Sequence, residues 1–414
     1  VIPFRAWAEI DVDSLAHNLG AIRARCGPTR AIILVVKADA YGHGAVAIAH
    51  HARRLGVSAF GVGTAAEALE LRAAGITEPL LVLGTVVDEE VGEALACGVE
   101  IGLHSMDRCR MLERLARSRG LRARVHLKID TGMGRLGVLP ERALPLLERI
   151  RGARHLELAG VMTHVAAADG ALSASAREQL ACFDRVLQQA RERELLTGRV
   201  HAANSACLFT GIQPLYDAVR PGISAYGVLP ADLPGARELR PIMSLRSQVV
   251  FLKDVPAGAA VGYDATFRAA RRTRVATIPV GYNDGVPWRL SNCGEVLVRG
   301  RRAPIIGRVS MDYTSVDATD IRDLRVGDPV TIIGRDGNES IPVEEIARRA
   351  GTIAYEITCS IGKRVKRVYR SSNDATLADA RDALHASAQE RDWLSPAPPW
   401  SAERHGASAL PGGR

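Results

Sequence analysis

The sequence predicts an α/β protein, a (β/α)8 TIM-type barrel followed by a mainly β C-terminal domain. Three observations carry this. Between about residues 31 and 230, about eight apolar strand segments alternate with amphipathic helical stretches at roughly 25-residue spacing. No G-x-G-x-x-G follows the first of these strands, which disfavours an open dinucleotide-binding sheet. After about residue 240 the pattern changes to short β-rich runs separated by Gly, Pro and Asp-Gly turns. At about 150 residues per domain, 414 residues suit two or three domains. The expected division is 1–238 for the barrel, 239–370 for the β domain and 371–414 for a disordered tail rich in Ala, Ser, Pro and Gly. Residues 1–12 are candidates to pair with the β domain.

In chain order, AIILVV (31–36) reads as a buried strand, and a helix follows over 44–55. SAFGV (58–62), LLVLG (80–84), VEIGL (99–103), ARVHLKI (123–129), ELAGVMTH (157–164) and RVHAAN (199–204) are the next strands. Helices are expected near 65–74, 88–97, 106–119, 141–151 and 174–196, and a last short strand near 219–225. In the second region SLRSQVVFL (244–252), TRVATIPV (273–280), GEVLVRG (294–300), RAPIIGRVS (302–310) and DPVTIIG (328–334) read as strands. In the tail, 377–384 is a candidate short helix.

Apolar residues make up 47% and charged residues 24%, an ordinary globular balance, and the net charge is +8. The basic residues are dispersed with no basic stripe, so nucleic acid is not the expected partner; an acidic small molecule suits the charge better. No apolar run reaches membrane-spanning length. The seven cysteines form no C-x-x-C pair, which argues against a disulfide framework or a zinc site and suits a reducing cytoplasm. No signal peptide is visible at Val1, and an export signal removed by processing stays open.

Only five of the 54 basic residues are lysines. Lys37 follows the first apolar strand and opens the Gly-rich stretch KADAYGHG, at the strand end where barrel enzymes carry chemistry. A lysine can form an imine with an aldehyde and an arginine cannot, so Lys37 is the leading candidate; a snorkelling strand-end lysine is the structural alternative. Tyr41 on the adjacent loop could donate to an anion. Lys128 and Arg135 lie in KIDTGMGRLG (128–137), and His164 ends another strand at the same rim. Asn204 and Ser205, in HAANSAC (201–207), open a helix after the seventh strand, where the alternative is simple capping. Arg220, Gly222 and Ile223 follow the eighth strand, and the loops after strands seven and eight of barrels commonly hold phosphate.

Taken in order, AIILVVKADAYGHG, KIDTGMGRLG, HAANSAC, VRPGISAYG, VGYDATF, IPVGYNDG, GRVSMDY and AYEITCSIGKRVKR resemble alanine racemase, a fold-type III pyridoxal-phosphate family. The resemblance spans roughly 7–369, about 90% of the chain. It implies a barrel plus β domain, the cofactor pyridoxal 5'-phosphate, no metal, and a head-to-tail homodimer with shared active sites. By similarity, Lys37 holds the cofactor covalently and serves one face of the substrate carbon. Tyr263, from the partner subunit, is the base on the opposite face. Racemisation needs such a pair, because one group must take a proton from one face and another must return one to the other.

The resemblance further implies that Arg220 bonds the pyridine nitrogen and that His164 links Arg220 toward Tyr263. Arg135 matches a contact to the cofactor phenolic oxygen and the substrate carboxylate. Lys128 matches a position carbamylated in many members, an anion that would orient Arg135. Tyr41, Ser205, Gly222, Ile223 and Tyr355 match phosphate contacts, with Asn204 beside them. Tyr282 and Met311 match partner-supplied groups at the substrate carboxylate and entrance, with interface packing as the alternative. Two departures stand out: Asp264 follows Tyr263 where many members carry Gly or Asn, and is expected to face away from the base, and Ser310 sits where Cys is common.

The function this implies is interconversion of L- and D-alanine, supplying D-alanine for peptidoglycan. A broad-specificity racemase for serine, lysine or arginine would carry nearly the same motifs; Tyr355 and bulky entrance residues favour a small side chain. A non-catalytic pyridoxal-phosphate carrier would need neither the β domain nor GYDATF and GYNDG. A decarboxylase on a related barrel would call for a carboxylate at the pyridine-facing position, where Arg220 stands.

Overall fold

The structure, a computed structural model, describes residues 4–166, 174–230 and 233–371. Beyond Ser371 the expected tail, with its candidate helix, lies outside the described residues. Strand β1 (Ala6–Asp11) leads into helix α1 (Val12–Cys26), whose N-terminus is capped by the Asp11 carboxylate accepting from the Asp13 and Ser14 N–H groups. Eight parallel strands then close a barrel: β2 (Ala31–Val35), β3 (Ala59–Val62), β4 (Leu80–Val82), β5 (Glu100–Leu103), β6 (Ala123–Lys128), β7 (Leu156–Met162), β8 (Arg199–His201) and β9 (Ala218–Val219). Closure runs through Ala31 opposite Ala218 and Ile32 opposite Val219. These strands read as continuous apolar runs because a barrel strand is covered on both faces, by packed side chains inside and by helices outside. The helices are started by local chemistry: Thr64 and Glu67 form a reciprocal capping box at Ala65–Ala73.

The last barrel strand is shorter than the expected 219–225. It ends at Val219, and the chain turns into a 3-10 segment at Ile223–Tyr226. Pro221 has no N–H to continue a ladder, although its carbonyl still accepts from Val35 N–H at 2.9 Å. The turn drives Tyr226 fully into the core, where its hydroxyl donates to the Val35 carbonyl at 2.7 Å.

Beyond the barrel, β10 (Met243–Gln248) lies in a seven-stranded sheet. Its strand order is Arg301–Pro304, Glu295–Val298, Pro329–Asp336, β10, β1 and Lys366–Arg370, with Glu339–Ile341 paired to Pro329–Asp336. β1 runs antiparallel to β10 and parallel to Lys366–Arg370. The single strand expected over 244–252 is two. The chain leaves β10 at Val249, whose N–H bonds the Asp328 carbonyl, and Val250 N–H already bonds Thr277 of a different sheet. That second sheet has Phe251–Val255, Thr273–Ile278 and Thr314–Asp317 in order. The strand expected over 302–310 stops at Pro304.

Candidate active site

A cavity of about 490 Å³ opens at the C-terminal ends of the barrel strands. Lys37, Tyr41, Lys128, Arg135, His164, Asn204, Ser205, Arg220, Gly222, Ile223 and Tyr355 all line it. Tyr263, Tyr282 and Met311 do not; they project from the β domain and are 72%, 45% and 53% exposed.

The backbone after Lys37 departs from expectation. Instead of a plain loop, Ala38, Asp39, Ala40 and Tyr41 form a left-handed turn with φ between 52° and 55°. That conformation costs about 1–2 kcal/mol per L-residue, so tertiary contacts must hold it. Glu67 accepts the Ala38 N–H at 2.7 Å, and Asp39 accepts the Ala45 N–H at 2.7 Å. Tyr41 packs between Tyr226 and Tyr355, with ring centroids 5.2 and 5.8 Å away. Gly44 lies so close to Tyr369 that a Cβ would fall 1.8 Å from the tyrosine oxygen. The turn brings both Lys37 and Tyr41 to the cavity wall.

Ser205, Gly222 and Tyr41 form one contiguous corner. The Ser205 hydroxyl oxygen accepts the Gly222 N–H at 3.0 Å, and a Cβ on Gly222 would sit 2.6 Å from the Tyr41 oxygen. Asn204 caps the helix Ser205–Thr210 by accepting the Cys207 N–H. Burial pushes the Tyr355 hydroxyl up to about 12 and the Tyr41 hydroxyl higher still, so both remain donors.

The charged residues of the lining are all basic. Lys37, Lys128, Arg135 and Arg220 face the cavity, and among the described residues no carboxylate lines it. Lys128 is buried and donates to the Leu83 carbonyl at 2.9 Å. Burial, reinforced by the charges of Arg220, Arg135 and Lys37, brings its amine down to about 8. His164 is pushed down to about 3 by burial and by Arg220, Lys128, Arg135 and Lys37, so its ring is neutral. Arg220 is buried, which lowers it to about 10 and leaves it a cation. Its Nη2 donates to the Thr163 and Ala202 carbonyls at 2.7 and 2.9 Å and approaches His164 Nδ1 at 3.4 Å. Arg135 sits in a loop shaped by Asp130, whose carboxylate accepts the Gly132 and Gly134 N–H groups at 3.0 and 3.1 Å.

In the β domain, Tyr282 and Met311 come together although 29 positions separate them. Tyr282 N–H donates to the Ser310 carbonyl at 3.0 Å and Asn283 N–H to the Met311 carbonyl at 3.3 Å. Arg364 clamps both loops: it bonds the fully buried Asp284 at 2.6 and 3.0 Å and Asp312 at 2.6 Å. Tyr263 follows Gly262 in a separate turn, and the neighbouring Asp264 carboxylate is directed to Arg308 at 3.6 Å.

Glu67 and Asp130, which hold the loops of Lys37 and Arg135, were not among the expected site residues; nor were Glu100, His126 and His201 in the barrel interior. The signal for Glu100, His126 and His201 was an ionisable residue within a barrel strand; Glu67 on a helix and Asp130 in a loop gave none. Among the described residues no three His, Cys, Asp or Glu side chains could hold a metal ion, and no helix is long and apolar enough to cross a membrane.

Two family models cover the chain, alanine racemase N-terminal domain at residues 10–230 and alanine racemase C-terminal domain at 242–369. The alanine racemase of Geobacter sulfurreducens is 44% identical over 369 residues, 87% of this chain and 96% of that one. The alanine racemase of Desulforamulus reducens is 40% identical over 366 residues, 88% and 98% of the two chains. Among solved structures, alanine racemase from D-cycloserine-producing Streptomyces lavendulae superposes with TM-score 0.84 at 36% identity, covering 91% of this chain and 99% of that one. Alanine racemase from Bartonella henselae with covalently bound pyridoxal phosphate gives 0.80 at 33% identity, covering 89% and 100%.

Proposed function

This chain belongs to the alanine racemase family, and from that premise we propose the residues through which it interconverts L- and D-alanine. Alanine is the substrate its relatives and structural neighbours share, and nothing favours a broader racemase. One observation carries the residue-level reading: Lys37 shares a cavity with the hydroxyls of Tyr41, Ser205 and Tyr355, the backbone of Gly222 and Ile223, and three further cations.

That lining fits pyridoxal 5'-phosphate. The corner of Tyr41, Ser205, Gly222 and Ile223, with Tyr355 and Asn204 beside it, suits a phosphate, and the missing side chain of Gly222 lets the Tyr41 hydroxyl come up against the backbone there. The excess of cations suits a phosphate together with a substrate carboxylate. Pyridoxal phosphate, when bound, supplies the electron sink that makes the substrate Cα–H acidic.

The remaining steps belong to this chain. Lys37 holds the cofactor and then carries a proton at one face of Cα. The partner subunit's Tyr263 carries a proton at the other. Arg220 would face the pyridine nitrogen, and a guanidinium holds its protons too tightly to pass one to it. We infer that this limits reprotonation at the wrong carbon. His164, neutral, lies between Arg220 and the approaching tyrosine. Arg135 orients the carboxylate, and Lys128, carbamylated, supplies the anion that holds Arg135. Tyr282 and Met311 complete the entrance from the partner subunit. The exposure of Tyr263, Tyr282 and Met311 on the single chain supports this homodimer. The setting is cytoplasmic, and the D-alanine made would feed peptidoglycan.

Mixing two inactive variants tests the shared site. Lys37→Ala and Tyr263→Phe are each expected to lose nearly all racemisation. After subunit exchange at equal amounts, half the dimers are mixed and each has one intact site, so about one quarter of native activity should return. Mixed dimers present by native mass spectrometry with no returning activity would refute the arrangement.

A further inference from the structure

Behind the cavity floor, a file of polar side chains crosses the barrel interior. Arg220 Nη1 donates to His201 Nδ1 at 2.7 Å. His201 Nε2 lies 2.8 Å from His126 Nδ1, and His126 Nε2 lies 2.8 Å from the Glu100 carboxylate. Arg124 closes the file from the far end, bonding Glu100 at 2.8 Å and Glu157 at 3.0 Å. Glu100, His126 and His201 are buried, and none lines the cavity.

The protons in this file have one consistent arrangement. A guanidinium has no acceptor, so His201 Nδ1 must accept. His201 then carries its proton on Nε2 and donates to His126 Nδ1. His126 likewise carries its proton on Nε2 and donates to Glu100. Both rings are neutral, and every bond points from the Arg220 cation toward the Glu100 anion. Burial and the neighbouring Arg220 charge push His201 well below the ordinary histidine range. Burial alone would raise Glu100, but its bonds from His126 and Arg124 hold it low.

The barrel is also shaped to admit this file. The β6–β7 ladder shifts register between Val125 and His126, so that Gly160 faces His126. A Cβ at Gly160 would fall 2.4 Å from His126 Nδ1. A strand glycine normally weakens a sheet, and here its missing side chain is the slot for the ring.

We propose that Glu100, His126 and His201 are positioning residues that orient Arg220 through an aligned relay of hydrogen bonds. With Thr163 and Ala202, the relay occupies the terminal nitrogens of the guanidinium and fixes its plane, leaving the Nε–H edge for the bound ring. The cofactor-facing part rests on the pyridoxal-phosphate reading above; the relay itself does not.

The test uses the full-length protein with 15N-labelled histidine. In the cofactor-free protein, NMR should show both rings neutral, each with a slowly exchanging proton on Nε2. A proton on Nδ1 of either ring, or a doubly protonated ring, overturns the proposal. In the loaded protein, Glu100→Gln keeps size and an acceptor but removes the charge. It should lower kcat by about tenfold with KM within about twofold and shift the cofactor absorption band. His201→Gln, which can still accept and donate, should retain more activity than His201→Leu. Unchanged kcat and spectrum in Glu100→Gln, or equal losses in the two His201 variants, would also overturn it. Failure to bind pyridoxal phosphate at all would instead sink the earlier reading and leave the ring protonation to decide the relay.

Discussion

Lys128 makes a quantitative prediction. Carbamylation requires the neutral amine: its nitrogen attacks the carbon of carbon dioxide, an N–C bond forms, and one proton leaves to water. An amine held at about 8 is about one-tenth neutral at pH 7, against about one part in three thousand at its ordinary value of 10.5. The cavity therefore raises the reactive fraction by about 300-fold. Its cations act twice, first by disfavouring the ammonium and then by stabilising the carbamate that replaces it. The perturbations are removal of carbon dioxide and Lys128→Ala. With 13C-labelled bicarbonate, NMR should show one carbamate carbon per chain, absent in Lys128→Ala. Activity should fall about tenfold on degassing and return with bicarbonate. No carbamate signal at saturating bicarbonate, together with activity indifferent to degassing, would refute the reasoning.

Gly222→Ala forces its Cβ to 2.6 Å from the Tyr41 oxygen, and Tyr41 is held by Tyr226 and Tyr355. Overpacking of about 1–3 kcal/mol should weaken cofactor binding by about 5- to 150-fold in a fluorescence titration, with the circular dichroism spectrum unchanged. Arg364→Ala strands the buried Asp284 carboxylate; because the arginine is partly solvent-screened, the expected loss is about 1–3 kcal/mol by thermal unfolding, with a raised KM as Tyr282 and Met311 shift. His43, fully buried and stacked 4.6 Å from Tyr226, is pushed down to about 4 by burial. The unfolded ring takes a proton below about 6.5 and the folded one does not until about 4, so its contribution is complete above 6.5 and declines as pH falls through that window. His43→Gln should remove about 2 kcal/mol of this acid sensitivity, read as a smaller change in Tm between pH 7 and 4.5.

Much of this site could be read from strand ends. Lys37, His164 and Arg220 each follow an apolar barrel strand, and that location carries meaning in a barrel before any side chain is placed. The left-handed turn at 38–41 could not be read, because three of its four residues, Ala38, Ala40 and Tyr41, have no local preference for it; it exists through contacts to Glu67, Tyr226 and Tyr355, distant in sequence. The break at Val249 was equally hidden, since two valines suit a strand in either sheet and only the partners Asp328 and Thr277 decide. Glu100, His126 and His201 were visible as polar intrusions in apolar strands, but their alignment needed the register shift opposite Gly160.

The position of β1 affects how the chain is made. It is made before the barrel, yet its two flanking strands follow about 240 and about 360 residues later. The barrel can close as soon as Val219 is available, while this early strand waits without neighbours, an open edge able to pair with the wrong chain. Only synthesis past Arg370 seals it from both sides, so a strand made before the barrel is enclosed after it, and a product truncated before that point would carry the unfinished edge on its surface.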